Sequence, residues 1–139
     1  MVTDHSPSTA TLKFGHDGDF GLAWGGIAGL QTGLAVVWTE ASGRGIPLER
    51  VLGWMSTGPA DFAGLANKGR IAVGAAADLV SFAPEATFTV HAAELLHKNP
   101  VSAFDGRELR GVVRQAWLAG HPVSVSADAA VGGKLLARA

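Results

Sequence analysis

Residues 20–39 carry no charged side chain, and glycines recur among them at 21, 25, 29 and 33. Twenty apolar residues are enough to cross a bilayer, and small residues four apart favour helix pairing in lipid, so this stretch decides first between membrane and globular folding. Its flanks argue for the globular outcome. Asp17 and Asp19 precede it, Glu40 follows it, no Lys or Arg cluster marks a cytoplasmic side, and Gly25, Gly26, Gln31 and Thr32 lower its hydropathy. The expectation is therefore a buried helix over residues 27–41, with a glycine face that lets another backbone approach closely, and no membrane partner.

The 139 residues are 47% apolar, ample for the core of one domain or of the end of a larger one. A formal net charge of -1, with eleven scattered Lys and Arg, gives no basic face for phosphates, so a nucleic-acid partner is excluded. Cysteine is absent, which rules out disulfides and thiolate metal sites; a metal would need His, carboxylate or modified Lys. The start, Met1-Val2-Thr3-Asp4-His5-Ser6-Pro7, has neither a basic nor an apolar leader region, and the chain is expected to begin abruptly within functional sequence in the cytoplasm.

Val2 followed by Asp4-His5-Ser6-Pro7 reads as a short strand that ends by delivering polar side chains into a loop, where α/β barrels place chemistry. Residues 8–20 read as loop. After the first helix, closed by Ser42, Gly43, Arg44 and Gly45, Pro47 and Glu49 open a second, with Leu48, Val51, Leu52 and Met55 as its core positions. Thr57, Gly58 and Pro59 should punctuate it before a last turn over 60–65. From Lys68 the pattern changes to short β-rich runs at 69–74, 77–82 and 87–90, then 112–118, with Gly120-His121-Pro122 turning into Val123 and Val125. The expected organisation is α/β, with residues 1–66 as a barrel's last strand, loop and helices, 67–125 as a segment of a small β-domain, and 126–139 as a surface tail.

Asp4 is the leading candidate for chemistry, because a rigidly held carboxylate at a strand's end can bind a metal and accept a proton. Taken alone it reads better as a turn or cap carboxylate, and only its neighbours in sequence raise the catalytic reading. Asp4, His5 and Ser6 cannot form a nucleophilic triad, since neighbours on a strand point to opposite faces. His16, His91, His97 and His121 have no metal-ligand spacing, and the His16-Asp17-Gly18-Asp19 run lacks the later ligands of a calcium loop. Gly25-Gly26-Ile27-Ala28-Gly29 does not follow a strand as a dinucleotide loop would.

Residues 2–7, together with Phe20-Gly21-Leu22-Ala23-Trp24-Gly25-Gly26-Ile27-Ala28-Gly29-Leu30-Gln31, resemble the region after the eighth barrel strand in the allantoinase family of cyclic amidohydrolases, with Thr3 where that family usually has Ser. Residues 67–80 resemble the hairpin by which amidohydrolases enter a C-terminal β-domain, and the match continues through Lys98-Asn99-Pro100-Val101, Gly106-Arg107, Val112-Val113-Arg114 and Gly120. The resemblance implies the C-terminal end of a (β/α)8 TIM-type barrel followed by a small β-sandwich, a binuclear divalent metal centre, commonly zinc, and hydrolysis of allantoin to allantoate. It maps the catalytic, metal-binding aspartate to Asp4 and substrate contacts to His5, Ser6, Gly25 and Gly26. It also implies what is missing. The family's His-x-His, bridging carboxylated lysine and two later histidines are not in this sequence, so the chain is expected to be an incomplete C-terminal piece, inactive alone, with the N-terminal barrel segment as partner and a homo-oligomer when complete. The alternatives are a hydantoinase, dihydropyrimidinase or dihydroorotase, or, in another class, a non-catalytic oligomerisation or scaffold module.

Overall fold

The computed structural model describes residues 1–124 and 133–136. Its elements are α1 (Ala10–Lys13), α2 (Gly33–Gly43), α3 (Leu48–Leu52), a π turn (Gly53–Thr57), α4 (Gly58–Phe62), β1 (Leu79–Thr89), a 3-10 turn (Ala92–Glu94), β2 (Glu108–Leu118) and β3 (His121–Pro122). The strands form one antiparallel sheet in the order β1-β2-β3, with α2 packed on β2. Among the described residues the strands expected of a β-sandwich segment form this single sheet, with α2 lying on it. The tail expected over 126–139 lies largely outside the described residues.

The first helix begins six residues later than its apolar pattern suggests. Ile27 is drawn into extended pairing with His5 by an isolated parallel bridge, and Gly26 sits at φ +83°, so the helical path opens only at Gly33. The glycines do not form the expected helical face, since only Gly33 lies in α2, but two of them rest against the N-terminal segment. A Cβ on Gly29 would lie 3.5 Å from the Thr3 carbonyl oxygen, and one on Gly33 would meet the Thr3 methyl at 2.8 Å. No described helix is long and apolar enough to cross a membrane.

Pro59 does not end the second helix. A proline inside an α-helix clashes with the carbonyl four residues back and lacks its own donor. Here the preceding turn widens instead, with the Gly58 N–H donating to the Gly53 carbonyl five residues back, and the chain stays helical to Phe62. Of the expected core positions, Val51 is fully buried, Leu48 and Met55 are half-buried and Leu52 is exposed.

Two small clusters hold the helices to the sheet. Ala35 packs with Val90 and Leu109; Trp38, Ala41 and Val51 pack with Val37, Ile46, Trp54 and Phe82. The Trp38 indole N–H donates to the Pro84 carbonyl at 2.8 Å, and Thr39 Oγ1 accepts the Arg110 N–H at 2.8 Å, so α2 is hydrogen-bonded to both long strands. Gly111, at φ +97°, makes the packing possible: a Cβ there would stand 2.3 Å from the Phe82 ring and 2.8 Å from the Trp38 indole.

The runs at 77–82 and 87–90 belong to one strand. β1 pairs Ala83 with Val112 and then Thr87 with Arg110, and the intervening Pro84, Glu85 and Ala86 bulge out, as a residue without an N–H requires. Arg110 ion-pairs with Glu85 across the bulge. Residues 69–74 form turns, not the strand expected of them; Gly69, at φ +71°, rests on the Ser56 carbonyl and Ala60, and among the described residues no strand pairs with them. The β2-β3 turn places Ala119 and Gly120 both at positive φ, the geometry of a tight hairpin. Asp78 secures it. One carboxylate oxygen pairs with Lys68 and the other accepts the Ala119 N–H at 2.8 Å, which holds the Asp78 carboxyl below its ordinary value.

Candidate functional site

The N-terminal segment is fastened to the 25–30 loop almost atom by atom. The Ser6 N–H donates to the Ile27 carbonyl at 3.0 Å, and Ser6 Oγ accepts the Ile27 N–H at 3.3 Å while donating to the Asp4 carbonyl at 3.0 Å. Gly26 lies so close that a Cβ on it would stand 2.4 Å from Ser6 Oγ and 2.6 Å from the Ser6 carbonyl oxygen. Ser6, Gly26 and the backbone of Asp4 therefore form one rigid junction. Gly25 has open space around it.

Asp4 adopts φ +45°, a left-handed conformation that aspartate tolerates better than most residues. Its carboxylate is exposed and has no hydrogen-bond or ion-pair partner among the described residues. His5 points elsewhere, as alternation along an extended segment demands. Its Nδ1 accepts the Leu30 N–H at 3.1 Å, which leaves Nε2 to carry the proton of the neutral ring. His5 lines a cavity of about 700 Å3 with Gln31, Thr32 and His97, whose ring meets it edge-on at a centroid distance of 5.8 Å. Asp4 is not part of that lining. The five residues picked from the sequence thus divide: Asp4, Ser6 and Gly26 share the junction, His5 faces the cavity behind it, and Gly25 sits on the loop's open side.

One residue was missed. Lys13, at the end of α1, donates from Nζ to the carbonyls of Gly26 at 2.7 Å, Trp24 at 3.2 Å and Gly25 at 3.4 Å. A single lysine in a polar loop carries no sequence signal for that role; the run of uncapped carbonyls around two adjacent glycines was the available clue.

An unpartnered, exposed carboxylate on a fixed backbone suits one oxygen ligand of a divalent ion. It is a single ligating residue and cannot build a site alone. Among the described residues no three His, Cys, Asp or Glu side chains gather closely enough to hold a metal, so any centre that Asp4 joins needs ligands from elsewhere.

Residues 2–123 match the model of the amidohydrolase family. The chain is 49% identical to an allantoinase of Streptomyces avermitilis over 139 residues, covering 99% of this chain and 31% of that protein. It is 43% identical to an allantoinase of Arabidopsis thaliana over 125 residues, covering 88% and 25% respectively. Among solved structures, a D-hydantoinase (dihydropyrimidinase) from Thermus sp. superposes with a TM-score of 0.76 at 28% identity, over 86% of this chain and 26% of that one. The chain spans under a third of the length of these relatives. The likeness extends over the helices and the sheet together and agrees with a segment of a TIM-barrel-type hydrolase. On the extent of the family match, the chain belongs to the amidohydrolase family.

Proposed function

We propose that these residues are the C-terminal segment of an allantoinase, a metal-dependent hydrolase that opens the hydantoin ring of allantoin to give allantoate. In this reading residues 1–66 are the last strand, loop and helices of the barrel, 67–125 belong to the β-domain, and 126–139 are a tail. The upstream barrel is the required partner, the complete enzyme is a cytoplasmic homo-oligomer, and the segment alone is inactive. The observation that carries the reading is the Asp4 carboxylate, held by a hydrogen-bonded backbone and left without a protein partner.

A bound divalent pair, zinc in this reading, supplies polarisation of the ring carbonyl and acidifies the attacking water. Asp4 is one ligand of that centre and the proton carrier. Its carboxylate would accept the proton lost as water's oxygen bonds to the ring carbonyl carbon, then return it to the ring nitrogen as the C–N bond breaks, so that one ring-opened product, with a new carboxylate and a new ureido NH2, accounts for the water consumed. Ser6 fixes the backbone that carries this carboxylate, and His5, Gly25 and Gly26 contribute pocket contacts. The test is hydrolysis of allantoin, hydantoin and dihydrouracil by the complete zinc-loaded enzyme that carries this segment. Turnover of allantoin that vanishes in Asp4→Ala supports the proposal. Preference for hydantoin or dihydrouracil would transfer the segment to the hydantoinases, whose fold it shares, and unchanged assembly without any turnover would leave a scaffold.

A further inference from the structure

Peptide planarity turns the Lys13 contacts into a statement about the opposite side of the loop. In a trans peptide the C=O of one residue and the N–H of the next point in opposite directions. The carbonyls of Trp24, Gly25 and Gly26 all reach Lys13 Nζ, so the N–H groups of Gly25, Gly26 and Ile27 face away from it. Ile27 bears this out: its N–H is taken by Ser6 Oγ, beside the Asp4 carbonyl. The Gly25 and Gly26 N–H groups have no acceptor among the described residues, and the space around Gly25 is open.

We propose that Lys13 is a positioning residue of this enzyme: by gathering three carbonyls on one side of the loop, it fixes the Gly25 and Gly26 N–H groups on the other as paired donors to one oxygen of the substrate. This rests on the allantoinase reading above. An ammonium group has three donors and no acceptor, which suits three carbonyls, and charge-assisted bonds are stronger than neutral ones. Two adjacent glycines otherwise lose more backbone freedom on binding than any other pair, so an anchor that orders them in advance lowers the cost of taking substrate. The helix contributes a second tie at the same place, since the Trp24 N–H donates to the Leu12 carbonyl at 2.8 Å. Lys13 touches only backbone and acts through it.

The experiment is steady-state kinetics on allantoin with the complete zinc-loaded enzyme, comparing wild type, Lys13→Met and Lys13→Arg. Lys13→Met keeps the aliphatic stem and removes the donors; KM should rise about tenfold while kcat stays within about twofold. Lys13→Arg should fall between, and zinc content should match wild type in both. A wild-type KM in Lys13→Met, or a fall in kcat at unchanged KM, overturns the inference. If Lys13→Met does not accumulate as folded protein, Lys13→Arg decides: a raised KM supports the inference, and a wild-type KM overturns it. A wild type inactive on allantoin overturns the functional reading, and the inference with it; an active wild type with an indifferent Lys13→Met overturns the inference alone.

Discussion

The junction around Asp4 and the helix-covered sheet use the same residue, glycine, for opposite purposes. At Gly111 the missing side chain admits the Phe82 ring and the Trp38 indole, and the gain is apolar packing. At Gly26 it admits the Ser6 backbone and hydroxyl, and the gain is a hydrogen-bonded seat for a carboxylate. The sheet region buries Trp38, Val51, Val90 and Leu109, whereas the N-terminal region leaves Phe14, Phe20, Leu22, Trp24 and Leu30 exposed. Apolar burial within these residues therefore lies apart from the proposed reactive carboxylate, whose neighbourhood leaves its large apolar side chains uncovered.

Substitutions in the two regions should separate activity from stability. The largest effect is expected for Asp4→Ala in the complete enzyme, where loss of a proton carrier lowers turnover on the order of 10²–10⁴-fold. Because the carboxylate makes no protein contact among the described residues, the melting temperature of the metal-free enzyme should not move, and a parallel thermal melt after zinc removal checks this. Trp38→Ala reverses the pattern, costing about 3–5 kcal/mol in urea unfolding through the vacated volume and the orphaned Pro84 carbonyl. Equal losses of activity and stability in both variants would erase the distinction.

The two glycines sharpen it. Gly111→Ala adds a methyl at φ +97° among packed rings, so a stability loss of about 1–3 kcal/mol is expected. Gly26→Ala pushes on Ser6 and should raise KM and lower kcat at smaller cost to unfolding. The smallest effect belongs to Asp78. Its carboxyl is held low by Lys68 and the Ala119 N–H, so the stabilisation is complete above the ordinary value of 3.8 and is lost as pH falls through the lower folded value. Asp78→Asn should flatten the acid limb of a stability–pH profile measured below pH 5 and leave the neutral region nearly unchanged.

What could be read from sequence followed local physics. The apolar spacing of Leu48, Val51 and Met55 found a real helix, and the β-branched run at 112–118 found β2. Errors arose where a distant partner overruled the local signal. Ile27 reads as helix until His5 lies beside it, residues 69–74 read as strand but pair with no strand among the described residues, and Pro84 reads as a break although a bulge carries the strand past it. The candidate site was legible in its carboxylate and its glycines, since the resemblance named them. Lys13 was invisible because its partners are backbone carbonyls eleven to thirteen residues away, whose direction depends on dihedrals that the residue types leave free.

The widened turn before Pro59 also changes the phase of the helix. At 100° per residue, nine α-helical steps from Val51 to Ala60 would set the two roughly 180° apart, on opposite sides; a turn that absorbs one extra residue brings them to roughly 80°. Both side chains are in fact buried, Val51 under Trp38 and Ala60 against Gly69. A single added residue thus rotates the far end of the helix inward, letting one continuous rod serve two neighbours that a regular helix could satisfy only one at a time.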